Sequence, residues 1–185
     1  MAAFSFISAV SLVVVSLFVF ITLILPRWFL PEVSVGFSGY SEMLVPIAST
    51  FEDKGILIKS APPSDYCKEA EVIILPPGAY RSNNSFLTTA LPGKADHCNA
   101  VPIEVVFTEP VRSVVVSFYG ANVPYELIGY RNDGSVIRTR YHSSKPYDYH
   151  APFRLGIVSG RANISRVIFG YESALTMIEK LEFSR

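Results

Sequence analysis

The sequence has no stretch in which basic residues concentrate. Its 16 Lys and Arg residues are balanced by 16 Asp and Glu residues, for a formal net charge of zero. Binding to nucleic acid depends on clustered positive charge that neutralises phosphates, so this composition argues against a nucleic-acid partner. Catalytic signatures are missing as well, since the chain contains neither HExxH, nor Gly-x-Ser-x-Gly, nor a Walker loop.

The N-terminal part of the chain lacks charge altogether, because no Asp, Glu, Lys or Arg precedes Arg27. Residues 4–25 form an uncharged, mainly apolar run that as a helix would span about 33 Å, enough to cross the hydrocarbon core of a bilayer. Trp28 and Phe29 follow, and amphipathic aromatic residues favour the membrane interface. We therefore predict a transmembrane signal-anchor and interface over residues 1–29. A cleaved signal peptide is the alternative, although no basic segment precedes the run and no small-x-small site follows it.

Cysteine is scarce, with only Cys67 and Cys98 in the chain, too few for a Cys-rich zinc site. In an oxidising compartment one pair predicts one disulfide, and two unlinked buried thiols are the alternative. The pair favours an extracytoplasmic domain, as do the glycosylation sequons at Asn83 and Asn163. Arg27 favours the opposite orientation through the positive-inside tendency. We expect a single-pass membrane protein whose domain lies in the periplasm, in a lumen or at the cell surface.

No amphipathic helix of three turns is evident after residue 30, where short β-branched and aromatic runs alternate with turn residues. Residues 30–50 are expected to form a stalk or linker, although alternation at 33–37 could add a strand. Residues 51–185 are expected to form an all-β domain, a β-sandwich or jelly roll. The segment 79–100 is expected to be mostly loop. Predicted strands cover residues 56–58, 71–75, 103–107, 111–119, 125–130, 135–141, 153–158, 166–171 and 177–183.

Five motifs follow one another in a recognisable order. They are TFEDKGI at 50–56, IEVVFTEPVRSVVVSFYG at 103–120, YELIGYRNDGSVI at 125–137, ISRVIFGYES at 164–173 and MIEKLEFSR at 177–185. This order resembles the galactose-binding-domain-like jelly rolls of secreted and surface proteins. The resemblance covers residues 50–185 at the level of the fold. It implies a domain that binds carbohydrate or serves as an adhesion or interaction module.

The resemblance also implies a structural Ca²⁺, which many such domains hold between the opening segment and the last strand. By position, Glu52, Asp53 and Glu182 match that site. Calcium takes six to eight oxygen ligands, and this chain has no dense acidic loop to supply them. Solvated turn charges are therefore the alternative interpretation of these three carboxylates. No other cofactor is expected.

The segment 141–153, YHSSKPYDYHAPF, combines rigid aromatic side chains with polar groups and is expected to be a loop between strands. Such residues offer a large contact area at small entropic cost, which suits a sugar ring or a protein partner. The alternative is that the tyrosines pack back on the edge of the sandwich. A second aromatic group, Phe118, Tyr119, Tyr125 and Tyr130, is predicted to pack in the core. The predicted ligand-binding residues are Tyr141, His142, Tyr147, Asp148, Tyr149 and His150.

The function we expect is a membrane-anchored, extracytoplasmic binding module without catalysis, for carbohydrate or a surface polymer. The first alternative is a structural or accessory subunit of a larger membrane complex, whose helix would pack through its small residues. The second is a glycan-acting hydrolase with paired carboxylates. Asp96-His97-Cys98 is interpreted as a polar loop beside a disulfide, since a zinc site needs three or four protein ligands.

Overall fold

The described part of the chain is built mainly of β-strands, as its many β-branched and aromatic residues predict. The computed structural model describes residues 31–38, 40, 43–44, 51–62, 65, 67–78, 83–94, 97–120, 124–142, 148–170 and 175–185, with the side chains of 43–44, 142 and 148–151 excepted. Among these residues no helix has the length and apolarity to cross a bilayer. The predicted membrane span lies outside them.

Twelve strands and one short 3-10 helix, Glu52–Lys54, are formed by the described residues. The strands are β1 Val33–Gly36, β2 Met43–Leu44, β3 Ile56–Ser60, β4 Glu71–Leu75, β5 Phe86–Ala90, β6 Ile103–Val111, β7 Ser113–Gly120, β8 Pro124–Arg131, β9 Val136–His142, β10 Asp148–Val158, β11 Ile164–Gly170 and β12 Met177–Ser184.

The strands pair antiparallel in two sheets. Sheet A has the order β10-β7-β12-β5-β4-β2, with β1 also paired to β12, and sheet B has the order β3-β6-β11-β8-β9. Apart from the β8–β9 hairpin, each connection from β6 onward crosses from one sheet to the other. The all-β prediction and the fold-level resemblance to a β-sandwich are therefore confirmed.

The core lies between the sheets and is centred on a group of aromatic rings. The Phe118 ring of β7 lies 4.8 Å from that of Tyr125 on β8 and 4.9 Å from that of Phe169 on β11. These three side chains are fully buried, and each contributes about 1.5–3 kcal/mol through its burial. Tyr130, by contrast, lies partly exposed on the outer face of sheet B, because it alternates with the inward-facing residues of β8.

The sandwich begins earlier than residue 51. Strand β1 pairs with β12 from Val33 opposite Phe183 to Gly36 opposite Lys180. Val35 and Phe37 are buried in the main core, and residues Pro31–Arg185 form one compact unit. The expected stalk is therefore corrected over its described part. Strand β5 pairs β12 only at Ile178, so β1 occupies the length of the β12 edge that β5 leaves open.

Strand β5 corrects the expectation that residues 79–100 are mostly loop. All five of its residues are buried, and it pairs with β4 from Phe86 opposite Leu75 to Ala90 opposite Glu71. The Thr89 hydroxyl donates to the carbonyl oxygens of Cys98 and Val101 at 2.9 and 3.0 Å. A hydropathy pattern does not reveal this strand, because its central residues are two threonines and turn residues flank it. Threonine nevertheless suits a pleated strand.

The predicted disulfide between Cys67 and Cys98 is confirmed, with a Cα–Cα distance of 5.8 Å. It joins the segment that precedes β4 to the segment that precedes β6. Both cysteines have left-handed backbone conformations, with φ of 59° and 64°. The disulfide thus stabilises two irregular segments that the sheets do not pair directly.

Candidate functional site

An open pocket lies at one end of the sandwich, between the β8–β9 turn and the β10–β11 turn. Its volume is about 350 Å³, near the lower end of the roughly 300–1,000 Å³ range of small-molecule sites. The antiparallel topology places the end of β8 and the end of β10 at the same end of the molecule, so residues about thirty positions apart share one site. The lining residues are Arg131, Asp133, Ser159, Gly160, Arg161 and Asn163.

The polar groups of the β8–β9 turn form hydrogen bonds with one another. Gly134 has a φ of 81°, which suits the predicted Asn-Asp-Gly hairpin turn. The Asp133 carboxylate accepts hydrogen bonds from the Ser135 amide at 2.9 Å and from the Ser135 hydroxyl at 2.6 Å. Arg131 Nη1 donates to the same hydroxyl at 2.9 Å. These bonds orient Asp133 and Arg131 in the pocket wall.

The β10–β11 turn is tied both to itself and to the neighbouring turn. The Ser159 hydroxyl donates to Asn163 Oδ1 at 2.7 Å. The Asn163 amide donates to the Val111 carbonyl at 3.1 Å, and the Asn132 amide donates to the Asn163 carbonyl at 3.0 Å. The last bond joins the two turns directly. These bonds connect the two walls of the pocket, and such connections lower the entropic cost of ordering the walls around a ligand.

Positive charge exceeds negative charge in this pocket. The Ser135 hydroxyl and amide hydrogen bonds lower the pKa of Asp133, and the charges of Arg131 and Arg161 lower it further. Asp133 is therefore ionised at neutral pH, and two guanidinium groups share the pocket with one carboxylate. The combination of cationic donors, a carboxylate, a hydroxyl and an amide can bind a ligand with several hydroxyl groups or a negative charge.

The structure describes only part of the predicted ligand-binding loop. The Tyr141 ring packs against the rings of Phe118 and Phe153 at 5.8 and 4.9 Å, which matches the alternative in which the aromatics seal the sandwich edge. Tyr147 lies outside the described residues, as do the side chains of His142, Asp148, Tyr149 and His150. Ligand binding by these residues stays a prediction. Strand β9 ends and β10 begins at the end of the sandwich opposite the pocket.

The three carboxylates predicted to hold calcium do not form a group of ligands. The described residues contain no cluster of three His, Cys, Asp or Glu side chains able to hold a metal ion. Glu52 and Asp53 are exposed on the 3-10 helix. The Glu182 carboxylate accepts from Arg154 at 2.7 Å and from Lys180 at 3.0 Å. Its charge is therefore balanced by these two cations on the outer face of sheet A.

The two predicted glycosylation sites differ in their surroundings. Asn83 is exposed in the segment before β5. Asn163 is half-buried, and its Oδ1 accepts from Ser159 in the pocket. A glycan attached to Asn163 would therefore enter the pocket, whereas one attached to Asn83 would extend into solvent. Modification at either position stays a prediction.

The outer face of sheet B carries ion pairs interspersed with partly exposed apolar side chains. Glu104 pairs with Lys59 at 3.0 Å and with Arg166 at 2.7 Å, and the Arg166 guanidinium lies 3.9 Å from the centre of the Tyr130 ring. Glu126 on β8 pairs with Arg140 on β9 at 3.0 Å. The partly exposed apolar side chains that lie among these pairs are Leu57, Val106, Ile128, Ile168 and Val136.

Comparison with known proteins gives a distant likeness. No family model and no curated protein matches the chain. A solved structure of the CBM22-1 xylan-binding domain from Paenibacillus barcinonensis Xyn10C is similar at 10% identity and a TM-score of 0.35, covering 84% of this chain and 95% of that one. The enzymatically active domain of tailspike protein 4 from bacteriophage CBA120 is similar at 9% identity and a TM-score of 0.26, covering 78% of this chain and 18% of that one. Scores this low carry no argument for ligand or activity.

Proposed function

We propose that this chain is a non-catalytic binding module for a carbohydrate or surface polymer, and that the ligand enters the pocket between the β8–β9 and β10–β11 turns. Residues 1–29 hold the module in the membrane, and the sandwich lies on the extracytoplasmic side. The pocket, lined by charged, hydroxyl and amide side chains, is the observation that carries this proposal.

The chemistry of the pocket suits a saccharide. A sugar ring presents hydroxyl groups that both donate and accept hydrogen bonds, so its site needs fixed donors and acceptors at close spacing. Arg131, Arg161 and Asn163 supply N–H donors, and Asp133 supplies a carboxylate acceptor. Binding in an open pocket of this size leaves the rest of a polymer free to extend along the surface.

The disulfide supports the extracytoplasmic placement. Cys67 and Cys98 are linked, and structural disulfides persist mainly in oxidising compartments. The domain begins at Pro31, directly after the apolar run and its interfacial aromatic residues.

A glycan array probed with the full-length chain in mild detergent tests this function. The Gly160→Tyr variant adds bulk to the pocket wall, whereas a Cβ atom at Gly160 would meet no heavy atom within 4 Å, which makes Gly160→Ala a matched control. We expect saccharide binding to be retained in Gly160→Ala and lost in Gly160→Tyr. Absence of any glycan ligand for the native chain contradicts the function. Binding that survives Gly160→Tyr but not Tyr147→Ala with Tyr149→Ala moves the site to the 141–153 loop.

The outer face of sheet B favours a second candidate function, that of an accessory subunit in a membrane complex. Val136 on this face is 41% exposed and lies opposite Tyr130, while Ile128 and Ile168 are paired and partly exposed on the same face. Apolar surface rimmed by charges is typical of protein contacts. Purification from native membranes in mild detergent tests this candidate. A stoichiometric complex that dissociates on Ile128→Lys supports it, and a free native monomer contradicts it.

A further inference from the structure

We infer that the pocket selects an anionic saccharide, one that carries a carboxylate such as a uronic acid, over its neutral counterpart. This inference rests on the proposed function, since it names the ligand class of the same pocket. It follows from how the charged groups of the pocket are already used within the fold.

The single carboxylate of the pocket is committed to its own turn. Asp133 Oδ1 accepts both the amide and the hydroxyl of Ser135, at 2.9 and 2.6 Å. These bonds hold the Asp133 side chain over the hairpin turn, where it forms no close ion pair with Arg161. The Asp133 carboxylate therefore forms part of the pocket wall, and it leaves part of the positive charge of Arg131 and Arg161 unmatched.

The donors of the pocket, in contrast, are largely unused. Arg131 gives one side-chain N–H to Ser135, out of five that a guanidinium carries. Arg161 is exposed and makes no hydrogen bond within the described part of the chain, where its charge acts on Asp133 only electrostatically. The Asn163 Oδ1 atom accepts from Ser159, which leaves the amide NH₂ of an unglycosylated Asn163 for a ligand. Three groups thus offer donors to one space.

A carboxylate matches this donor set better than a hydroxyl does. Guanidinium groups bind carboxylates through two parallel charge-assisted hydrogen bonds, which are roughly twice as strong as neutral ones. The remaining hydroxyl groups of a uronate ring can donate to the free Asp133 Oδ2 and accept from Asn163. Neutral saccharides retain only the weaker contacts, so their affinity should be lower.

The test uses titration calorimetry of the full-length chain in mild detergent with three oligosaccharides. These are trigalacturonic acid, its fully methyl-esterified form, and a sulfated galactose trimer. We expect trigalacturonic acid to bind at least tenfold more tightly than its methyl ester, with an affinity that decreases as NaCl rises. Arg161→Gln should remove most of that preference. Lys94→Gln, which removes one exposed positive charge from the turn after β5, should leave it unchanged.

The outcomes separate this inference from the function on which it rests. Equal binding of the acid and its methyl ester overturns the anionic preference and leaves the saccharide function standing. Tighter binding of the sulfated trimer overturns the carboxylate and assigns a sulfate ester instead. Preference that persists in Arg161→Gln, with Gly160→Tyr also still binding, overturns the assignment of the preference to this pocket. Failure of every saccharide on an array contradicts the function itself.

Discussion

Removal of the Cys67–Cys98 disulfide should destabilise the sandwich strongly. The two cysteines are 31 residues apart, and closing a loop of that length in the unfolded chain lowers its entropy by about 12 cal/mol/K, which corresponds to roughly 3.5–4 kcal/mol at 25 °C. The double variant Cys67→Ser with Cys98→Ser should lose most of this amount. Typical native domains have only about 5–15 kcal/mol of stability, so the loss is a large fraction of the total.

The backbone at the two cysteines refines this prediction. Both have positive φ, at 59° and 64°, a conformation that costs a non-glycine residue roughly 1 kcal/mol or more. Serine keeps that cost, whereas glycine avoids it. We therefore expect Cys67→Gly with Cys98→Gly to be less destabilised in the folded state, by about 1–2 kcal/mol, than the serine pair. The more flexible unfolded chain of the glycine variant offsets part of this gain.

Urea unfolding of the full-length chain in mild detergent measures both effects. The unfolding is monitored by far-UV circular dichroism. With a urea slope of about 1–3 kcal/mol/M, the serine pair should unfold at a midpoint lower by roughly 1–3 M. The native chain after reduction should move by the same amount. Identical midpoints for oxidised, reduced and serine-substituted protein would refute the reasoning, because the disulfide would then contribute nothing to the folded domain.

Three further substitutions test the core and the charges of the sandwich. Gly120→Ala places a Cβ atom 2.6 Å from the buried Tyr125 ring, so calorimetry should show that the free energy of unfolding falls by about 1–3 kcal/mol. The control, Gly160→Ala, should unfold like the native chain. Phe118→Ala removes the ring at the centre of the aromatic group and should cost about 3–5 kcal/mol by urea unfolding; a loss below 1 kcal/mol would contradict the described packing. Burial raises the pKa of Glu104, but the hydrogen bonds and charges of its two cationic partners outweigh it and hold this pKa below the ordinary value of 4.5. A lowered folded pKa means that the ion pairs stabilise the fold fully above about pH 4.5 and lose this effect as the pH falls through the folded pKa. Glu104→Gln should therefore reduce the loss of stability that the native chain shows as the pH is lowered. An unchanged loss of stability at acid pH would contradict the ion-pair geometry.

Much of the fold follows from the sequence because strand alternation and turn chemistry are local. The hairpin at Asn132-Asp133-Gly134 needs only residues that tolerate positive φ. The alternation of Val33, Val35 and Phe37 likewise indicates a strand, which is β1 in the structure. A hydropathy pattern does not reveal strand β5, because its threonines are polar by hydropathy, although threonine suits a strand that is buried between β4 and β12.

The candidate site could not be predicted in the same way. Its two walls belong to separate turns, each of which is an ordinary Gly-containing turn when viewed alone. Only the antiparallel order of β8, β11 and β10 across the two sheets brings Arg131 and Arg161 to the same end of the molecule. The many aromatic residues of the 141–153 segment predict a binding loop there instead. Tyr141, however, packs against the core. A local sequence pattern shows which residue types lie near one another along the chain. The position of a pocket depends instead on how the strands are ordered in the two sheets.

Chemical-shift mapping tests the central claim most directly. The isotopically labelled full-length chain, in detergent micelles, would be titrated with trigalacturonic acid while its backbone amide signals are recorded. We predict shifts that are concentrated at residues 131–135 and 159–163 and that vanish in Gly160→Tyr. Shifts confined to residues 141–153, or signals that do not move at saturating saccharide, would contradict the account.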